Sequence, residues 1–199
     1  MMTWPNRITV LRILLLAPFL ILLLNAEERP EYRYWALGVF VVMGLCDLAD
    51  GQVARRFRQE TRLGQVLDPL ADKLVLTVTL IVLTYTHWLG PQTPYHIPLW
   101  VTVTVLSKDG IILLGVVIVH FVTNKTDFGH PSVLGKMATA ATFVLVLGTL
   151  VSPDAARLAN AELLEWGLWG LGVLAAASSA AACLDYVRRG SKMLAGNGN

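Results

Sequence analysis

The sequence predicts an all-α, polytopic membrane protein with six transmembrane helices. Of the 199 residues, 55% are hydrophobic and 15% are charged, whereas an average soluble domain has about 25% charged residues. The apolar residues lie in six blocks, and a helix of about 20 residues crosses the ~30 Å of hydrocarbon in a bilayer. Because a chain in lipid must satisfy its own backbone hydrogen bonds, each block is predicted to be helical.

Polar residues and prolines separate the apolar blocks. Proline lacks the N–H that a helix interior needs, so it favours a boundary. The prolines between blocks are Pro30, Pro91, Pro94, Pro131 and Pro153, whereas those inside blocks, where kinks are expected, are Pro18 and Pro69. The predicted spans are about Ile8–Leu24, Trp35–Ala49, Val66–Leu89, Ile97–Val122, Val133–Val151 and Leu163–Val187.

Lysine and arginine are distributed unevenly between the two predicted sides of the membrane. The side that holds both termini carries nine of them and the other side three, which predicts that both termini are cytoplasmic. Residues 1–190 are predicted to form one membrane domain, followed by a flexible C-terminal tail at 191–199. No clear targeting segment precedes the first span, which favours a bacterial inner membrane. A net charge of +2 does not indicate a nucleic-acid partner.

Four aspartates interrupt the apolar pattern of the second and third predicted helices. Asp47 and Asp50 are three residues apart and Asp68 and Asp72 are four apart, so each pair shares one helix face. The short connection makes the two helices antiparallel neighbours, so the four carboxylates can converge. Converging carboxylates repel one another unless cations lie between them, and an all-oxygen ligand set suits two Mg²⁺ or Mn²⁺ ions. The alternative is that these acids reach the interface or pair with loop arginines.

Small and basic residues accompany the aspartates at fixed spacing. The pattern is Asp47-x-x-Asp50-Gly51-x-x-Ala54-Arg55, then eight residues, then Gly64-x-x-x-Asp68-x-x-x-Asp72. It resembles the complete signature of the CDP-alcohol phosphatidyltransferases, and all eight fixed positions match. The resemblance implies six spans, a homodimer and transfer of a phosphatidyl group from CDP-diacylglycerol to an alcohol with release of CMP.

The resemblance also implies a role for each residue of the pattern. Metal ions would be bound by Asp47, Asp50 and Asp68, while Asp72 would complete the metal site and act as the general base. The residues that would hold the CDP moiety are Asp47, Gly51, Ala54, Arg55 and Gly64.

Six further residues are candidates for binding the acceptor alcohol: Asn6, Thr9, Arg12, Lys108, Asp109 and Lys136. Arg12 lies inside an apolar block, where it either faces an anionic group or extends to the interface. Lys108 and Asp109 are charged residues in mid-span, which either bind substrate or neutralise each other. Lys136 either holds an acceptor phosphate or is an ordinary lysine at the cytoplasmic edge.

Within the family, the chain is most similar to the CMP-forming, eukaryotic-type cardiolipin synthases. The similarity rests on Pro5-Asn6 and on the segments 68–73, 107–109 and 135–136. Those proteins usually have Arg-Asp in place of Lys108-Asp109, and commonly a glutamine in place of Thr142. The implied acceptor is therefore phosphatidylglycerol, with glycerol-3-phosphate as the alternative. A small cation transporter or channel subunit would explain the acids but not the accompanying glycine, alanine and arginine spacing.

Overall fold

A computed structural model describes residues 4–26, 29, 31–57, 62–85, 96–123, 133–158 and 160–196, with side chains described at 10–26, 29, 31–46, 73–85, 96–115, 133–155 and 160–191. Over these residues the chain forms six α-helices and no strand, which confirms the all-α prediction. The helices are α1 (Trp4–Leu24), α2 (Glu31–Phe57), α3 (Arg62–Tyr85), α4 (Leu99–Thr123), α5 (Val133–Leu158) and α6 (Ala161–Gly196).

Helices α2, α5 and α6 end well beyond the apolar blocks that predicted them. Helix α2 continues to Phe57, and α6 continues to Gly196, so part of the segment predicted as a tail is helical. Helix α5 passes through Pro153, which the sequence placed at a boundary. Proline cannot donate to the carbonyl four residues earlier, but the hydroxyl of Ser152 donates a hydrogen bond of 2.8 Å to that carbonyl, on Thr149. The helix therefore continues without an unpaired acceptor at this point.

Two helices in the described part of the chain are long and apolar enough to cross a membrane. They cover Val133–Ala155 and Ala161–Ser191. In the apolar stretch of each helix, only 39% is buried inside the protein. Shorter apolar stretches cover Val10–Leu24 and Lys73–Tyr85. Large apolar surfaces that face outward are unfavourable in water and are expected in contact with lipid. Six spans and the side on which the termini lie remain predictions from the sequence.

Residues 1–94 form one compact unit, called unit 1 below, in which α1 packs against both α2 and α3. The contact between α1 and α2 includes the rings of Phe19 and Phe40, whose centroids are 5.8 Å apart. Phe19, Leu23 and Arg12 recur along one face of α1, and all three are buried. Over the described side chains of α1, from Val10 to Leu24, the buried face is therefore apolar except for Arg12.

Residues 95–199 form a second compact unit, called unit 2, in which α6 packs against both α4 and α5. Glycines make both contacts close. A Cβ atom at Gly148 of α5 would lie 2.7 Å from Cδ2 of Leu168, and one at Gly115 of α4 would lie 2.7 Å from Cε1 of Tyr186. Because α5 and α6 are joined by a connection of two residues, they form an antiparallel hairpin.

Candidate active site

The four aspartates lie on two consecutive helices of unit 1. Asp47 and Asp50 are in the second half of α2, and Asp68 and Asp72 are in the first half of α3. Since both segments are helical, the spacing within each pair does place its two residues on one helix face. Four residues separate Phe57 from Arg62, so the facing helix ends lie within about 18 Å of each other. Convergence of the carboxylates themselves concerns side chains outside the described set and remains a prediction.

The remaining residues of the motif lie on the same two helices. Gly51, Ala54 and Arg55 continue α2 after Asp50, and Gly64 precedes Asp68 by one turn of α3. Their side-chain environments are also outside the described set. The expected nucleotide-binding residues are thus placed by backbone position alone.

The metal prediction depends on these same aspartates. Among the side chains that the structure describes, no group of three or more His, Cys, Asp or Glu residues could hold a metal ion. The four aspartates are not in that set, so this finding does not bear on them. Their chemistry fits Mg²⁺ or Mn²⁺, because both ions prefer oxygen ligands.

Arg12 is a buried charged residue of unit 1. It lies on the inner face of α1 and is 2% exposed, so it does not extend to the surface as the snorkelling alternative required. Helix α1 contains no acidic residue, and its two packing partners are the helices that carry the four aspartates. A buried guanidinium needs a nearby anionic group, and α2 and α3 both carry carboxylates. Asn6 and Thr9 precede Arg12 on α1, and their side chains are outside the described set.

Lys108 and Asp109 form an ion pair in unit 2. The Nζ atom of Lys108 lies 3.3 Å from Oδ1 of Asp109, and the side chains are 5% and 24% exposed respectively. The two residues neutralise each other, as one of the two alternatives expected. Removing a partner from such a pair is costly, whereas the intact pair contributes little to stability. The pair therefore keeps a cationic group inside the unit, where a ligand anion could bind it.

Lys136 differs from Lys108 in its surroundings. It lies in the first turn of α5 and is exposed, which is the environment of an ordinary edge lysine. Thr142, at the position where related proteins commonly have glutamine, is buried and donates a hydrogen bond of 2.8 Å to the carbonyl of Ala138. Its hydroxyl proton is used within its own helix, so this hydroxyl is not available as a donor to a ligand.

Sequence reasoning did not single out Ser179. Its side chain is fully buried in α6, and its hydroxyl has no hydrogen-bond partner in the part of the chain that the structure describes. The residue lies in the run Ala-Ser-Ser-Ala, which is typical of close helix packing. Composition therefore gave no signal of a polar site here.

Most of the chain matches a known protein family. Residues 2–177 match the family described as CDP-alcohol phosphatidyltransferase. The CMP-forming cardiolipin synthase of Streptomyces coelicolor is 33% identical over 175 residues, which cover 86% of this chain and 76% of that protein. The CMP-forming cardiolipin synthase of Homo sapiens is 32% identical over 202 residues, covering 94% of this chain and 62% of that protein.

A relative with a different named product is similar to nearly the same degree. The CDP-diacylglycerol--glycerol-3-phosphate 3-phosphatidyltransferase of Cereibacter sphaeroides is 32% identical over 154 residues, which cover 74% of this chain and 66% of that protein. The chain spans less than two thirds of the length of the human protein. Overall identity therefore does not separate the two acceptors.

Proposed function

The chain belongs to the CDP-alcohol phosphatidyltransferase family, and we propose that it transfers the phosphatidyl group of CDP-diacylglycerol to phosphatidylglycerol, giving cardiolipin and CMP. The observation that carries this proposal is the similarity to proteins named CMP-forming cardiolipin synthase, over 86% of the chain for one and 94% for another. The complete aspartate motif, with each pair on its own helix, supports the phosphatidyl-transfer chemistry.

In the proposed reaction, the acceptor hydroxyl attacks the phosphorus that bears the diacylglycerol group. A new P–O bond forms to the acceptor, and the P–O bond to CMP breaks. The carboxylate of Asp72 accepts the hydroxyl proton as general base. No covalent enzyme intermediate is needed, because the leaving group departs as CMP in the same displacement.

Two Mg²⁺ or Mn²⁺ ions, held by Asp47, Asp50, Asp68 and Asp72, would neutralise charge on the donor pyrophosphate and on the departing CMP. The CDP moiety is assigned to Asp47, Gly51, Ala54, Arg55 and Gly64. Arg55 can donate two hydrogen bonds to phosphate oxygens, and the small residues leave room for the nucleotide beside the helices.

The residues proposed to bind the acceptor are Asn6, Thr9 and Arg12 on α1, Lys108 and Asp109 on α4, and Lys136 on α5. Burial favours Arg12 and Lys108 over Lys136, because an ion pairs more strongly with phosphate where water is excluded. Transfer to glycerol-3-phosphate is the second candidate. It is favoured by the similarity to the Cereibacter sphaeroides enzyme and by a Pseudomonas fluorescens protein of the same name, 44% identical over 86 residues.

The proposed setting is a bacterial inner membrane with six spans, both termini and the active site on the cytoplasmic side, and a homodimer in the bilayer. The excess of lysine and arginine on one side supports the orientation. The outward-facing apolar surfaces of α5 and α6 support insertion in lipid.

A product assay tests the function. The purified protein is supplied with CDP-diacylglycerol, Mg²⁺ or Mn²⁺, and either phosphatidylglycerol or glycerol-3-phosphate, and the products are identified by mass spectrometry. Cardiolipin with an equal amount of CMP supports the leading proposal. Phosphatidylglycerophosphate supports the second candidate, and absence of CMP release with every acceptor contradicts both.

A further inference from the structure

Ser179 is an exception among the buried hydroxyl groups of unit 2. The adjacent Ser178 donates to the carbonyls of Leu174 at 2.7 Å and Ala175 at 3.1 Å. Thr142 likewise donates to a carbonyl one turn earlier. Any helical serine has this option, yet the Ser179 hydroxyl, in a side chain with 0% exposure, meets no partner among the described residues. A buried polar group of this kind requires an explanation.

The contact between α4 and α6 indicates which residue of α4 lies at the depth of Ser179. Gly115 of α4 receives the ring of Tyr186 of α6. Lys108 precedes Gly115 by seven residues, and Ser179 precedes Tyr186 by seven. Seven residues are two helical turns, about 10.5 Å, and return to the same helix face. Because successive crossing helices alternate in direction, α4 and α6 run parallel, so both steps lead to the same depth.

The buried stripes of the two helices agree with this register. On α4 the stripe includes Val105 and Lys108, which are 4% and 5% exposed. On α6 it includes Ala175, Ser179 and Ala182, which are at most 1% exposed. Among the described side chains of these two helices that are buried, Lys108 is the charged one, and the hydroxyl-bearing ones are Thr102 on α4 and Ser178 and Ser179 on α6. Of these hydroxyls, that of Ser179 is the one without a hydrogen-bond partner among the described residues.

We propose that Ser179 binds the acceptor alcohol, its hydroxyl donating a hydrogen bond to the same phosphate group that Lys108 binds. The inference rests on the proposed function and adds a residue of α6 to the acceptor site. The ligand class is a phosphate-bearing alcohol, either a phosphatidylglycerol headgroup or free glycerol-3-phosphate. The Asp109 carboxylate balances the ammonium at 3.3 Å, while the Ser179 hydroxyl, which has no partner in the described part of the chain, would gain one when the phosphate binds.

The kinetic test compares Ser179→Ala with Ser178→Ala in the full chain reconstituted in lipid nanodiscs. The two variants lose the same atom at adjacent positions, but only Ser178 has an internal hydrogen bond. Ser179→Ala is expected to raise the acceptor KM about tenfold, the loss expected for one hydrogen bond to a charged group, with the KM for CDP-diacylglycerol unchanged. Ser178→Ala is expected to change neither constant. Equal acceptor constants in the two variants would overturn the inference.

A binding test judges Ser179 without relying on turnover. The thermal midpoint of the full chain is measured in nanodiscs of neutral lipid, with and without phosphatidylglycerol, glycerol-3-phosphate or inorganic phosphate. The unliganded midpoint is expected to be equal or higher in Ser179→Ala, because a buried unsatisfied hydroxyl is removed, and lower in Ser178→Ala.

The response to ligand then decides the inference. The ligand-induced rise should persist in Ser178→Ala and be clearly smaller in Ser179→Ala at the same ligand concentration, and the ligand that produces the rise identifies the source of the phosphate. No rise in the wild-type protein, or the same rise in both variants, overturns the inference. A wild-type protein that shows the rise but makes no lipid product contradicts the proposed function and leaves the Ser179 site standing.

Discussion

The two units balance their buried charges in different ways. In unit 2, Lys108 is neutralised by the next residue of its own helix, at 3.3 Å. In unit 1, Arg12 lies on a helix with no acidic residue, so no residue of its own helix can neutralise it. The charge of Lys108 is therefore balanced within α4, whereas the charge of Arg12 is not balanced within α1. We expect substitutions of the aspartates of unit 1 to affect the chemistry and substitution of Lys108 in unit 2 to affect acceptor binding.

Removal of divalent metal should have the largest effect. If the acids of α2 and α3 hold the ions, chelation with EDTA should reduce CMP release to the uncatalysed background, and added Mg²⁺ or Mn²⁺ should restore it. The measurement is CMP release from CDP-diacylglycerol at saturating acceptor. Full activity after exhaustive chelation would contradict the two-metal proposal for unit 1.

The substitution Asp72→Asn should be the most harmful single change in unit 1. The amide keeps the shape of the side chain but cannot accept a proton, so kcat should fall by a factor of about 10²–10⁴. The control is the amount of protein inserted into membranes, which should be unchanged. A variant that retains wild-type turnover would remove Asp72 from the catalytic role.

The substitution Lys108→Met should have a smaller and different effect. It removes the ammonium of unit 2, so the acceptor KM is expected to rise by about 10–100-fold, while the KM for CDP-diacylglycerol stays constant. Thr104→Ala, on the same helix, is the control, because that hydroxyl is exposed and donates only to the carbonyl of Trp100. If Lys108→Met raises the KM for CDP-diacylglycerol as much as the KM for the acceptor, Lys108 does not act specifically on acceptor binding.

The smallest predicted effect concerns packing within unit 2. Gly115→Ala places a Cβ atom 2.7 Å from the Tyr186 ring, and overpacking of this kind costs about 1–3 kcal/mol. Gly110→Ala, on the same helix, meets nothing within 4 Å and should be neutral or slightly stabilising. Thermal midpoints of the two variants provide the measurement, and equal midpoints would show that the α4–α6 contact tolerates separation.

The sequence predicts the helical class and the approximate position of all six helices, because long apolar blocks have no other stable form in lipid. It does not predict where the helices end. Helix α2 continues through charged residues to Phe57, beyond the apolar signal. Pro153 lies inside α5 because the hydroxyl of Ser152 donates to the carbonyl that proline leaves open. No regular pattern of residues in the sequence marks such side-chain hydrogen bonds.

The candidate site was predictable to the extent that its residues violate the apolar pattern. Lys108 and Asp109 stand out in an apolar helix, and their pairing follows from their adjacency. Ser179 does not stand out, because serine is common among the small residues of packed membrane helices. Its unusual state depends on which way its hydroxyl points and on the helix packed against it, and both are tertiary properties.

The buried Arg12 also has a consequence for biogenesis. Helix α1 leaves the ribosome before α2 and α3, and at that time its arginine has no acidic neighbour on its own helix. An arginine at the centre of an isolated helix opposes insertion by about 2.5–3.5 kcal/mol. Stable integration of α1 should therefore be delayed until α2 or α3 has been synthesised, so that the first helix of the chain reaches its final position only with the help of later ones.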